Sequence, residues 1–265
     1  MGSEMKKYIT YLKTFRRYTF LLSLLVKKDV KKKYKGSFLG ILWSLLNPLL
    51  HMLILMLVFS TLFETSIDNF PVYMLCGFLT FNFFASSTMA SMNSVLHASH
   101  LINKIYIPKY IITLSTILSN FIFFAISLID LVLIMIVTKA DVTIHVLYAP
   151  IYLILLFIFS CGISLLLATV TVFFRDIEHI YGVLITALHF VSAIFYPPDI
   201  IPDKYQFVLS YNPVYYFIEG FRNSVYLGVA PQAANLLICV GLAMVSLIIG
   251  VLVFEKNQDK FILHI

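Results

Sequence analysis

The chain alternates long apolar blocks with short polar ones. Blocks free of Asp, Glu, Lys and Arg run over 38–63, 72–95, 147–173, 180–195 and 233–254, and a further block, 110–137, is interrupted only by Asp130. A helix needs about 20 apolar residues to cross roughly 30 Å of hydrocarbon, so blocks of this size predict transmembrane helices. They are continuously apolar, without the two-residue alternation that a β-barrel with a wet lumen imposes. The pattern predicts an all-α membrane protein with six transmembrane helices, 38–254 forming a single membrane domain.

Two stretches depart from it. Within 1–37, Lys13, Arg16, Arg17, Lys27 and Lys28 punctuate the apolar residues too closely for a crossing, while Tyr8, Leu12, Phe15 and Thr19 recur every three to four residues. That spacing predicts an amphipathic helix lying in the interface, its lysines reaching for phosphates. The segment 196–232 is apolar and aromatic, yet Pro197, Pro198, Pro202, Pro213 and Pro231 break it before any piece can cross. It predicts two short re-entrant or interfacial helices divided near Asn212-Pro213, between the fifth and sixth spans.

Composition adds weight to the membrane reading: 60% hydrophobic against 12% charged residues cannot cover a water-soluble surface. Cys76, Cys161 and Cys239 each sit in an apolar run and read as buried apolar residues rather than a disulfide framework. Six crossings put both termini on one side. Of the 19 lysines and arginines, all but Lys139, Lys204 and Arg222 then fall on that side, which the positive-inside rule makes cytoplasmic: N-in and C-in, with 255–265 a cytoplasmic tail. The net charge of +6 is concentrated beside the first span, which points to anionic membrane lipids and not to nucleic acid.

Catalytic motifs are missing from the sequence. It contains no H-E-x-x-H, G-x-S-x-G or phosphate-binding loop, no paired carboxylates within a span, and scattered histidines without a companion ligand, so no catalytic or metal site is expected. Four local patterns carry information instead. The first is the basic run Lys31-Lys32-Lys33-Tyr34-Lys35 passing through Gly36-Ser37-Phe38-Leu39-Gly40 to Trp43 and Asn47-Pro48. The second is Leu101-Ile102-Asn103-Lys104-Ile105-Tyr106-Ile107-Pro108, read as a short helix ended by Pro108, whose apolar residues need a cover: the bilayer surface or a groove on a soluble ATPase. The others are Phe173-Phe174-Arg175-Asp176-Ile177 and Tyr211-Asn212-Pro213 running to Glu219-Gly220-Phe221-Arg222.

In order and spacing these patterns resemble the ABC-2 type permeases that export polysaccharides, O-antigens and teichoic acids, and the resemblance covers nearly the whole chain. It implies a bacterial, multi-pass cell-membrane protein, a homodimer working with two ATP-binding subunits that supply ATP and Mg, while this chain holds no cofactor. It also implies that the carrier lipid's phosphates meet the basic interface, for which Lys31, Lys32, Lys33, Tyr34, Lys35 and Arg175 are candidates. Leu101, Ile102, Asn103, Lys104, Ile105, Ile107 and Pro108 are candidates for ATPase coupling. Pro48 bends the first span, and the fifth carries a polar and aromatic face, so Trp43, Asn47, His51, His189, Phe190, Phe195 and Tyr196 are conduit-lining candidates. Placement of Phe195 and Tyr196 in an interfacial aromatic belt explains those two nearly as well. Asp130 is expected to face the bundle interior or a wet cavity. Two rival classes stand beside the exporter: a membrane-embedded transferase acting on lipid-linked sugars, and a passive channel or scaffold.

Overall fold

A computed structural model describes the backbone of residues 2–63, 67–102, 104 and 107–263, and the side chains of those segments except 2–17 and 59–63. The described residues form helices and the turns between them. Helix α1, Gly2–Lys33, is 32 residues and about 48 Å long. It stops where Gly36 takes φ 82°, a left-handed conformation that glycine adopts without a Cβ penalty. Beyond a single 3₁₀ turn, Gly40–Leu42, lies α2, Trp43–Phe63, with Pro48 inside it.

Helix α3, Phe70–Met92, is the most enclosed of the long helices. It packs against α6, Tyr110–Val137, and α7, Ala149–Phe173, and this explains an apolar sequence with no polar stripe. The last long helix, α11, Ala233–Asn257, lies along α7. Their contact depends on small residues: a Cβ on Gly162 would meet the backbone of Ser246 and Leu247, and one on Gly250 the carbonyl of Gly162. In a bilayer no hydrophobic force separates helix from lipid, so such close backbone approach supplies the packing that joins them.

Among the described residues, five helical segments are long and apolar enough to cross a membrane: Gly40–Val58, Phe70–Met92, Tyr110–Val137, Ile144–Phe173 and Ala233–Leu263. The block expected as a fifth span forms α8, Ile177–Val191, whose 15 residues reach about 22 Å. The proline-rich stretch after it carries α9, Phe207–Ser210, and α10, Pro213–Val225, divided where the sequence pattern puts the break. There the Asn212 side chain accepts a hydrogen bond from the Val214 amide at 3.1 Å, closing the start of α10.

The loop between α3 and α6 differs from expectation. Its helical turns are α4, Ser94–His97, and α5, Ser99–Ile102, upstream of the predicted Leu101–Pro108 helix; Lys104 sits in a turn and Ile107 and Pro108 have no regular structure. Proline disfavours helical backbone angles in the residue before it, in keeping with the irregular Ile107. Asn103 and Ile105 lie outside the described residues.

Candidate functional site

Two adjoining clefts open where α1 meets the bundle. The first, of about 570 Å³, is walled by Lys28, Asp29, Lys32 and Lys33 of α1, His97, His100 and Leu101 of the short turns, and the Ser115–Phe123 side of α6. The second, of about 420 Å³, continues between α2, α3 and α6, past Tyr34, Trp43, Asn47, Asn82 and Phe124. Lys33, Asn120 and Phe123 line both.

The wall between them is ordered by specific contacts. Lys33 Nζ lies 3.9 Å from the centroid of the Phe123 ring, a cation–π distance, and Tyr34 meets the same ring edge-on at 5.5 Å. The Tyr34 hydroxyl shares a 2.6 Å hydrogen bond with Ser44, whose carbonyl accepts one from Ser127 at 3.0 Å. The turn after α1 is thereby tied to α2 and α6. Lys31 and Lys35 are exposed and line neither cleft, and Arg175 is exposed at the α7–α8 turn, away from both. The basic group expected from sequence thus divides: Lys32 and Lys33 face the clefts with Lys28, while Lys31, Lys35 and Arg175 do not.

Charge in the wider cleft is tuned by its surroundings. Burial raises the Asp29 carboxyl above its ordinary pKa, outweighing Lys28, Lys32 and the Ser115 hydroxyl, which lower it. Burial also lowers the Lys33 ammonium below the ordinary lysine value. A bound anion repels the carboxylate and attracts the ammonium, so binding takes up protons at both groups. Affinity for an anionic lipid is expected to fall as pH rises through the raised pKa of Asp29, and again through the lowered pKa of Lys33, by up to about tenfold per pH unit in each limb. Titrating binding in a His97→Gln/His100→Gln background checks this. Asp29→Asn should erase the lower limb, and an unchanged lower limb would contradict the assignment.

The conduit candidates fall into separate groups. Trp43 and Asn47 belong to the 420 Å³ cleft. His51 stacks on Phe78 at 5.6 Å, and His189 gathers Phe78 at 6.3 Å, Phe81 at 4.9 Å, Phe195 at 5.0 Å and Phe190 at 5.9 Å, giving one aromatic wall from α2, α3, α8 and the turn after it. Tyr196 belongs elsewhere, in a buried network at the opposite end from α1. There Arg222 of α10, 4% exposed, donates from Nη1 to the Tyr73 hydroxyl at 2.9 Å and from Nη2 to the Ala193 carbonyl at 3.1 Å, its guanidinium 3.7 Å above the Tyr73 ring. Tyr73 in turn donates to the Tyr196 carbonyl at 2.9 Å, and Asn212 donates to Ser192 at 2.8 Å. Asp130 is fully buried, and among the described residues neither of its carboxylate oxygens has a hydrogen-bond partner.

Of the coupling candidates, Ile107 is buried, and Leu101 and Ile102 are half-buried, so they are less in need of a cover than the sequence pattern implies. Ile102 packs on a small cluster of Val95, Ala168, Val172, Phe254 and Phe261, which joins the loop to the ends of α7 and α11. Lys104 is exposed. Sequence reasoning passed over Asn82, Asn120, Tyr73 and Arg222 as site residues. A polar amide inside an apolar span was the available signal for the first two; nothing local marks Tyr73.

A helical bundle whose long helices carry apolar faces is that of an integral membrane protein. The ABC-2 type transporter family matches residues 21–226, and the chain belongs to that family. It is 29% identical over 197 residues to an O-antigen export system permease protein RfbA from Klebsiella pneumoniae, covering 74% of this chain and 75% of the relative. A Myxococcus xanthus protein of the same description is 29% identical over 198 residues, 74% and 76% of the two chains. The polysialic acid transport protein KpsM of Escherichia coli is 24% identical over 195 residues, 73% and 76%. The chain is accordingly the permease subunit of an ABC transporter in the cytoplasmic membrane, with ATP hydrolysis assigned to a separate subunit.

Proposed function

We propose that this permease exports a lipid-linked polysaccharide or teichoic acid, two copies of it working with two ATP-binding subunits that hold ATP and Mg. The observation that carries the reading is the pair of connected clefts, basic at the α1 end and polar and aromatic farther in, which suit a phosphate-linked saccharide. The names of the relatives, which concern O-antigen and polysialic acid, support a surface polysaccharide. In this reading α8 completes a sixth crossing, both termini are cytoplasmic, and α9 and α10 dip into the outer face. Pairing two copies about a symmetry axis sets the His51–His189 aromatic walls around a shared conduit. ATP-driven closure of the partner subunits moves the α4–α5 loop, and Ile102 passes that displacement to α7 and α11 as rigid bodies.

Coupling is tested with Lys104→Glu and Leu101→Asp. Either is expected to cut substrate-stimulated ATP hydrolysis severalfold while assembly and membrane insertion persist, because a reversed or new charge at a docking surface disfavours its partner. Full stimulated hydrolysis in both variants would remove the loop from the coupling path.

Orientation is tested separately. Single cysteines replacing exposed Val142 or Lys204, in a background lacking Cys76, Cys161 and Cys239, are expected to react with an impermeant thiol reagent added to intact cells, and a cysteine at 104 is not. Labelling of position 104 from outside would contradict the six-crossing arrangement.

A further inference from the structure

The most enclosed long helix carries an exposed asparagine. Asn82 stands ten residues before Met92, the last of α3, so about 15 Å from that end of the helix. Asn120 stands ten residues after Tyr110, at about the same depth in α6, and Asn47 is about 10 Å past Gly40. All three line the 420 Å³ cleft, a volume within the usual range of small-molecule sites. Among the described residues the side-chain amides of Asn47 and Asn82 make no hydrogen bond, and Asn120 uses only one donor, to the Thr116 carbonyl at 2.9 Å. Unpartnered amides at such depth are costly against hydrocarbon.

The cleft has the chemistry to satisfy them. An amide both donates and accepts, as a sugar hydroxyl does, and the half-buried ring of Trp43 offers a face for the apolar C–H side of a pyranose. Lys33 stands where this cleft joins the basic one. An acyl chain would leave the amides unsatisfied, and a bare lipid phosphate would engage the lysines while leaving the inner cleft without a matching group. We propose that the inner cleft is a carbohydrate subsite that reads the sugar attached to the carrier lipid's phosphate, with Asn47, Asn82 and Asn120 bonding its hydroxyls and Lys33 contacting the phosphate. The proposal rests on the exporter reading and adds where, and by what groups, the permease recognises the saccharide as distinct from the lipid phosphate.

Trp43 is the single tryptophan of the chain, so its emission reports on this cleft without further labelling. The full-length permease in nanodiscs is titrated with a short-chain polyprenyl diphosphate bearing one pyranose, with the same diphosphate lacking the sugar, and with the free sugar phosphate. The sugar-bearing lipid is expected to change Trp43 emission and to bind roughly tenfold more tightly than the bare lipid; the free sugar phosphate should compete weakly. Asn47→Leu and Asn82→Leu should each shrink that preference roughly fivefold, the worth of about one hydrogen bond, without changing affinity for the bare lipid. Asn82→Gln, which keeps an amide, should retain part of it. Equal affinity and equal emission change for the two lipids would overturn the subsite, as would variants that weaken both lipids alike. In those cases salt-sensitive binding of the bare lipid leaves the exporter reading standing, whereas failure of either lipid to bind would take down both.

Discussion

Changing Lys28, Lys32 and Lys33 together to Gln is expected to weaken binding of an anionic carrier lipid by about 3 kcal/mol, roughly a hundredfold, because each lysine beside an anionic headgroup contributes about 1 kcal/mol. These three face the clefts at the α1 end, and Lys33 holds its ammonium against Phe123. Changing Lys31 and Lys35 instead should have a far smaller effect, since neither lines a cleft. The contrast separates a binding role from a topological one: both sets remove positive charge from the same segment, and enough remains for the inside bias to hold. Affinity measured across a salt series checks the expectation, and the cleft-facing variant should also show a shallower salt dependence. Equal losses from the two sets would mean that a diffuse surface field, and not the cleft, attracts the lipid.

The second large effect is expected at the opposite end. Tyr73→Phe removes the hydroxyl that accepts from Arg222 and donates to Tyr196, leaving a buried guanidinium whose Nε already has no partner among the described residues. An unsatisfied charged donor of this kind costs about 3 kcal/mol, to be read as lowered unfolding free energy in detergent. Adding Arg222→Met should recover part of the loss, because the stranded charge is then gone. A double-mutant cycle measures this coupling. Strict additivity of the two variants would show that the contact carries no energy. The network joins α3, the end of α8 and α10, so its loosening is also expected to raise the reactivity of a cysteine placed at Tyr196 or Leu209.

Much of the helical layout was legible in the sequence because a membrane span is written as an uninterrupted apolar block, and Phe70–Met92, Tyr110–Val137 and Ala233–Asn257 follow their blocks within a few residues. Asn212-Pro213 marked the start of α10 because a side-chain cap followed by proline is a local signal. In the loop after α3, apolar residues ahead of a proline look helical in composition, whereas Lys104 sits in a turn and Ile107 is irregular, in keeping with a proline's bias on the residue before it. Within the candidate site, the basic run was visible but its division was not. Which lysine faces a cleft depends on how α1 lies against α6, a tertiary fact that no spacing in 27–35 encodes. The same holds for Arg222: it reads as one of a few cations on the far side, and its burial follows from the meeting of α3 and α10.

In the proposed export, this chain provides the path by which a lipid-linked saccharide crosses the membrane at the expense of ATP hydrolysed elsewhere. That role is tested most directly by reconstituting the permease with its ATPase partner in proteoliposomes. Lipid-linked glycan added to one face is then followed as it becomes accessible to a glycan-specific probe on the other. Translocation is expected with ATP and Mg, and should vanish without the partner, with a non-hydrolysable nucleotide, or with the Lys28→Gln/Lys32→Gln/Lys33→Gln permease. Equal flux without nucleotide, or transfer of the sugar to an acceptor by the permease with no ATPase present, would contradict the account in favour of a channel or a transferase.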